Sequence, residues 1–246
     1  MNTNSNKNSN KNSKTIIENE EYRIVQDTKR ENLYTIEFFK QSKPLIKSII
    51  KTRIMLPSDD YKSLYINATS VETLEQYQTK LKKQKNTTKF SYNTVLNLIE
   101  TLSRQLNYLI NFEYKSFHAY NTENIIVINE TIFVYLSNEL LDINPDKETI
   151  EITYPYPKNS NTFYISPELF NLDTIPSDVH YKTIYYSLSA LAINQLQNQD
   201  NKNLDNKNLD NQDQNYILES IKNTKLYFLL KRCLDEDINR RSIIFI

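Results

Sequence analysis

The chain has 246 residues, 39% hydrophobic and 24% charged, with 30 basic side chains balanced by 30 acidic ones. That balance excludes a net field drawing the whole molecule to nucleic acid or an anionic membrane, and no apolar run reaches the roughly 18–20 residues of a membrane span. The lone cysteine, Cys233, excludes an internal disulfide and fits a reducing compartment, so a soluble intracellular protein is expected.

Glycine is absent, where about 7% is usual, and tryptophan is absent too. Asn, Lys, Ile and Tyr are abundant, the mark of an AT-rich coding source. Every turn that needs positive φ must therefore use Asn, Asp or strain. No backbone free of Cβ is available to approach a phosphate.

In chain order, residues 1–15 are an Asn/Ser/Lys tract expected to be disordered and too polar for a signal peptide. Tyr22–Val25 and Leu33–Phe39 are β-branched and aromatic runs that predict a hairpin across the turn Gln26–Asn32. Lys43–Met55 is ambiguous: Leu45, Ile49 and Ile50 suit a helix, Ile54 and Met55 a strand. Ser63–Asn67 reads as a strand. Val71–Lys83 predicts a helix behind a Ser70 cap, and Lys80–Lys89 a polar basic connector. From Ser91, the spacing of Val95, Leu98, Ile99, Leu102, Leu106, Leu109 and Ile110 predicts a strong helix. Ile125–Ile128 and Ile132–Leu136, joined by Asn129–Glu130, predict a hairpin without glycine. Asp142–Pro176 reads as irregular. Helices are predicted near Tyr181–Leu196 and Tyr216–Leu234, separated by a disordered insertion, Gln197–Asn215, in which NKNLD occurs twice.

A β-rich N-terminal part (16–69), then a larger helical part (70–246) with a hairpin after its main helix, is a bilobal layout with its boundary near Thr69. Phe117-His118-Ala119-Tyr120-Asn121-Thr122-Glu123-Asn124-Ile125-Ile126-Val127 resembles the catalytic loop and following strand of protein kinases, H-R-D-L-x-x-x-N. Phe163–Leu169 is similar to the A-P-E region, Tyr185–Ser189 to the D-V-Y-S-L-G helix, and Arg232–Asp237 with Arg241 to the R-C-L-x-x-D-P-x-x-R ending. The resemblance covers roughly 70–242 in family order. It implies an α+β, bilobal protein-kinase-like fold with a reduced β-rich N-lobe and a mainly helical C-lobe.

Phosphoryl transfer on that fold needs positioned charges, and most are missing. In the family register Phe117 stands for the motif His, His118 for the Arg and Ala119 for the catalytic Asp. No Asp occurs from Tyr61 to Leu141 to replace it. D-F-G falls on Ser137-Asn138-Glu139, and a serine hydroxyl is a poor ligand for a hard dication. Glu139 and Asp142, with Glu123, are the fallback carboxylates if the chemistry has relocated. The phosphate lysine would be Lys40, Lys43 or Lys47, none in a V-A-I-K-like strand. Asn124 is retained, as a metal ligand or, with the carboxylates gone, as a loop brace. Glu168 and Arg241, with Arg240 as a substitute, are the architectural pair that the resemblance implies.

The other constellations carry less. His118 and His180, with Cys233, are too scattered for zinc and read as surface histidines; Cys233 reads as core. Tyr154, Tyr156 and Tyr164 suggest a modifiable or partner-binding cluster. The expected function is a catalytically inactive kinase-like scaffold or modulator of a protein partner, with a virus or intracellular parasite as source. No catalytic or metal residue is expected, no nucleic acid or membrane partner, and no cofactor unless ATP/Mg binding is retained. The alternatives are an atypical active kinase using Glu139 or Asp142, and a non-kinase helical interaction protein.

Overall fold

Alternating apolar residues lay down an antiparallel sheet at the start of the chain. The computed structural model describes residues 13–40, 42–50, 55–155, 163–197 and 211–243. Strands β1 (Ser13–Glu18), β2 (Tyr22–Asp27) and β3 (Leu33–Phe38) form a meander. After helix α1 (Lys43–Ile50) come β4 (Met55–Pro57) and β5 (Ser63–Asn67), completing the strand order β1-β2-β3-β5-β4. Tyr22, Ile24, Tyr34, Ile36, Phe38, Leu64 and Ile66 alternate inward and share a core with Leu45, Ile46 and Ile49 of α1. Burying each such aliphatic side chain contributes roughly 1.5–3 kcal/mol. The ambiguous stretch thus resolves as helix first and strand last. The expected disordered tail ends sooner than residue 15, because Ser13–Thr15 pair with Val25–Asp27; residues 1–12 lie outside the described ones.

Two expectations about the next segment are corrected. Val71–Thr73 form a strand, β6, pairing with Ile126–Ile128, so α2 (Leu74–Lys85) starts later and its cap is Thr73, not Ser70. Thr73 and Gln76 make a reciprocal capping box, which satisfies two otherwise orphaned donors. The helix also runs to Lys85, two residues past its expected end at Lys83 and into the stretch expected as a connector, until Asn86 enters the left-handed region at φ 53°.

Helix α3 (Tyr92–Tyr108) starts at a Ser91 cap and buries the predicted apolar stripe. A wider turn (Leu109–Glu113) ends it, followed by β7 (Lys115–Ser116) and β8 (Tyr120–Asn121). The glycine-free hairpin is β9 (Ile125–Ile128) and β10 (Ile132–Tyr135), in register Ile132↔Ile128 to Tyr135↔Ile125. Asn129 and Glu130 supply the paired positive φ, 50° and 60°, that a tight two-residue hairpin demands. Helix α3 covers the free edge of β10. Gln105 exchanges two hydrogen bonds with the Tyr135 backbone (2.8 and 3.0 Å), and Thr101 Oγ1 accepts from Phe133 N–H (3.2 Å).

The stretch expected to be irregular is mostly turns and loops among its described residues, but short strands interrupt it. Strands β11 (Leu141–Asn144), β12 (Thr149–Ile152) and, after β13 (Phe163–Tyr164) and the short helix α4 (Pro167–Phe170), β14 (Ser177–His180) join β7 in the order β14-β12-β11-β7. Ile143, Ile150, Ile152, Leu169 and Val179 form their own small core. Helix α5 (Thr183–Leu196) is buried on nearly every side, with Tyr186 its one residue not fully buried, and acts as the axis of the helical half. The single helix expected over Tyr216–Leu234 is two: α6 (Asn211–Ser220) and α7 (Lys225–Cys233), the second capped by Thr224. Of the expected disordered insertion, residues 198–210 lie outside the described ones, and Asn211–Asn215 belong to α6. No helix among the described residues is long and apolar enough to cross a membrane. The fold is mixed α+β with antiparallel sheets.

Candidate functional site

The loop Phe117–Asn124 wraps around one side chain, Tyr135 of β10. The Tyr135 hydroxyl donates to Ala119 O (3.3 Å) and accepts from Asn121 N–H (3.2 Å). Its ring packs edge-on against Phe117 (4.7 Å) and Tyr120 (5.0 Å). All three rings are buried, and burial pushes the Tyr135 hydroxyl far above the usual phenol range. Helix α5 fixes the same loop from below, since Ser187 Oγ accepts from Tyr120 N–H at 2.7 Å. The role foreseen for Asn124, bracing the loop, belongs mainly to Tyr135, although Asn124 lies alongside the same hydroxyl. Its backbone carbonyl also accepts from Leu136 N–H at 2.8 Å.

Ala119 is fully buried, with a methyl group where the resemblance puts the catalytic carboxylate. His118 corrects an expectation: it is 1% exposed rather than a surface residue, and its ring lies edge-on to Tyr154 at 6.3 Å. Burial alone holds its pKa down to about 3, so it is neutral. It can neither hold an anion by charge nor take up a proton near neutrality.

After β10, Ser137 is buried and its hydroxyl accepts from Glu139 N–H (3.2 Å). The Asn138 N–H reaches 117 positions back in sequence to donate to the Glu21 carboxylate at 3.1 Å. Glu21 sits in the turn between β1 and β2, where Asn19 Oδ1 accepts from both Glu21 N–H (2.8 Å) and Tyr22 N–H (2.9 Å). Half-burial raises the Glu21 pKa, Asn138 opposes the rise, Glu139 adds to it and Lys40 resists it. Glu21, Lys40 and Glu139 therefore share one electrostatic neighbourhood. Nothing in the sequence marked Glu21, because a glutamate in a polar turn reads as solvated.

The fallback carboxylates separate. Asp142 is removed as a candidate: its side chain is 85% exposed and pairs with Lys115 at 2.5 Å. Its place on β11, beside β7, turns it to solvent. Glu123 and Glu139 are exposed. Of the candidate lysines, Lys47 pairs with Glu113 (3.0 Å) and Lys43 lies over the Tyr61 ring (5.2 Å), leaving Lys40 near Glu21. Strand β3 holds Glu37, paired with Arg23, and no lysine. A magnesium nucleotide would need convergent carboxylates; Asn124, Ser137 and an exposed Glu139 do not supply that set. No group of three or more His, Cys, Asp or Glu that could hold a metal ion is found among the described residues.

Glu168 and Arg241 meet. Arg241 Nη1 donates to Glu168 Oε2 (3.1 Å) and Nη2 to Oε1 (2.5 Å), while Nε donates to Asp235 O (2.8 Å). Arg240 is no substitute, being exposed and paired with Asp237 at 3.3 Å. Cys233 is buried in the core, and burial pushes its thiol up to about 11. Of the three tyrosines singled out in sequence, Tyr164 is buried, Tyr154 faces His118 and Tyr156 lies outside the described residues. His180 is half-buried and pairs with Glu148 at 3.2 Å. Comparison with known proteins adds no relative: no family model matches the chain, and neither does any curated protein.

Proposed function

We propose that the chain is a catalytically inactive, protein-kinase-like domain that serves a protein partner as scaffold or modulator. The observation that carries this reading is the hydrogen bond from Asn138 N–H to Glu21 (3.1 Å). In the family's order, the glycine-rich cover of the nucleotide phosphates precedes the third strand, and the D-F-G segment follows the catalytic loop. Here the turn before β2 carries a carboxylate that closes onto Ser137-Asn138-Glu139. A negative charge there repels a nucleotide's phosphates instead of cradling them. Alanine at position 119 and serine at 137 supply neither the general base nor the carboxylate for a dication that the family's chemistry needs. Loss of a general base alone removes about 10²–10⁴-fold in rate. The two-lobed reading is supported by a five-stranded sheet with one inserted helix leading into an α3–α5 helical body, and by the Glu168–Arg241 pair late in the chain.

Thermal-shift titration with ATP and ADP, in Mg²⁺ and again in EDTA, tests the reading. A ligand at about 100 times its Kd adds about 2.7 kcal/mol, or roughly 5–10 °C for a domain of this size. No shift at millimolar nucleotide is expected. A Mg²⁺-dependent shift would overturn the reading and return the molecule to the phosphotransferases, with Glu139 and Asn124 as the residues to change.

A further inference from the structure

A groove of about 660 Å³ runs between the start of α5, the outer flank of α7 and the segment that follows it. Its volume lies within the range of ligand pockets, roughly 300–1,000 Å³. Five cationic side chains line it against one carboxylate, Asp235. Two of the five are neutralised locally, Arg241 by Glu168 and Arg240 by Asp237. Lys182, Lys231 and Arg232 remain outside those two ion pairs, with the Lys231 ammonium lying over the Tyr227 ring at 5.7 Å. Lys182 Nζ donates to Asn239 O at 3.3 Å, which leaves it two further N–H groups. The chain as a whole is neutral, so this excess is a local property and not a general feature of the surface.

Neighbouring groups sense the excess. His180 has a carboxylate partner at 3.2 Å, yet its pKa is lowered, by burial first and then by Lys182, with Arg241 adding to the effect. The groove also has an aromatic element. Phe228 is 57% exposed, and Lys231 and Arg232 follow it by three and four positions on the same face of α7. Tyr181 and Tyr185 stand on the opposite wall, edge to face at 6.1 Å. A lone phosphate is held best by converging guanidinium forks, and two of the three arginines here are already engaged. Cations on two separate elements, flanking an exposed aromatic ring, match carboxylates spaced around an apolar side chain.

We infer that this groove is a docking site for an acidic peptide segment of a protein partner. Lys182, Lys231 and Arg232 contact its carboxylates, and Phe228 packs against an apolar residue between them. The inference deepens the scaffold reading and rests on it for the partner being a protein.

The test is fluorescence anisotropy on the full chain with a labelled peptide of alternating glutamate and leucine. Its glutamine counterpart and a phosphoserine peptide serve as comparison probes. The glutamate peptide is expected to bind, to weaken as salt is raised, and to weaken at least ~10-fold in a Lys231→Glu/Arg232→Glu variant. Both residues are exposed, and an unchanged circular-dichroism melt will show that the variant folds. A Lys83→Glu/Lys85→Glu variant, on the basic end of α2, is expected to bind as the parent does. Equal binding of the glutamine peptide, tighter binding of the phosphoserine peptide, or loss of binding in the α2 variant instead would each overturn the inference. The nucleotide titration reports separately: a Mg²⁺-dependent shift with peptide binding intact sinks the scaffold reading and leaves the groove standing. Absence of both nucleotide and glutamate-peptide binding does the reverse.

Discussion

Arg241, 1% exposed, forks onto Glu168 across 73 positions of sequence and rests on the Tyr186 ring, 5.2 Å from its centre. This ties the chain after α7 to the start of α4 and to α5. A buried pair of this kind fixes one arrangement more than it adds stability, but removing one partner strands a charge. Glu168→Ala is therefore expected to lower unfolding free energy by about 3–5 kcal/mol in urea denaturation. A Glu168→Leu/Arg241→Met double variant should recover most of that loss. A single variant that loses under about 1 kcal/mol would show that the fork does not hold the two segments.

The acid limb of stability should have two windows. His118 is held neutral by burial, with a folded pKa of about 3 against 6.5 for the free side chain. Its contribution is fully present above pH 6.5 and is lost as pH falls toward 3, at a limiting slope of about 1.4 kcal/mol per pH unit. Glu168 acts lower down. Burial pushes its pKa up, but hydrogen bonds from Arg241 and Ser166 outweigh that and leave it below 4.5. Its contribution is present above pH 4.5 and is lost as pH falls through the depressed value. Urea midpoints measured from pH 7.5 to 4.5 should fall in the parent and fall less steeply in His118→Leu, where His180, also held low by burial, still contributes. A parent whose stability does not change above pH 5 would contradict a buried neutral His118.

Glu21 should behave in the opposite sense. Its folded pKa is raised, chiefly by burial, with Glu139 adding to the rise. Its stabilising contribution is fully present below the ordinary 4.5 and lost as pH rises through the folded value. Glu21→Gln keeps an oxygen for Asn138 N–H and removes the charge, so at pH 7 it should melt no lower than the parent. At pH 4 the two should converge. A markedly lower melt at pH 7 would mean that the charge, balanced by Lys40, is what holds the turn down.

Local pattern made part of this molecule legible and long-range contact hid the rest. The β9–β10 hairpin could be read because four consecutive apolar residues, all buried, precede Asn129, and Asn is a residue that tolerates positive φ. The α3 stripe and its Ser91 cap were equally plain. Strands β11, β12 and β14 were missed because each has four residues, too few for period-two alternation to stand out from chance. The true start of α2 is hidden from local pattern because Val71–Thr73 owe their strand to Ile126–Ile128, some 55 positions away. Nothing local in the sequence around His118 announces the walls that bury it. Alanine at 119 and serine at 137 are visible as substitutions in the sequence, but not the Tyr135 hydroxyl that organises the loop or the contact between Glu21 and Asn138.

The absence of glycine leaves strain that substitution should release. Tyr114 and Glu130 hold φ of 50° and 60°, a region that is unfavourable for residues with a Cβ and in which glycine is at ease. Tyr114 is 60% exposed, so little packing would be lost with its ring. Tyr114→Gly is therefore expected to raise unfolding free energy by about 1 kcal/mol, the gain being limited by the extra freedom of the unfolded chain. Glu130→Gly should gain less, because it gives up the ion pair with Lys80 at 2.6 Å. Asn223→Gly, at φ 67°, should change stability by only a few tenths of a kcal/mol, since Asn already tolerates that conformation. Chemical denaturation of the three variants would test the ranking Tyr114 above Glu130 above Asn223. A destabilised Tyr114→Gly would place the ring's contacts, not its backbone, in control of that turn.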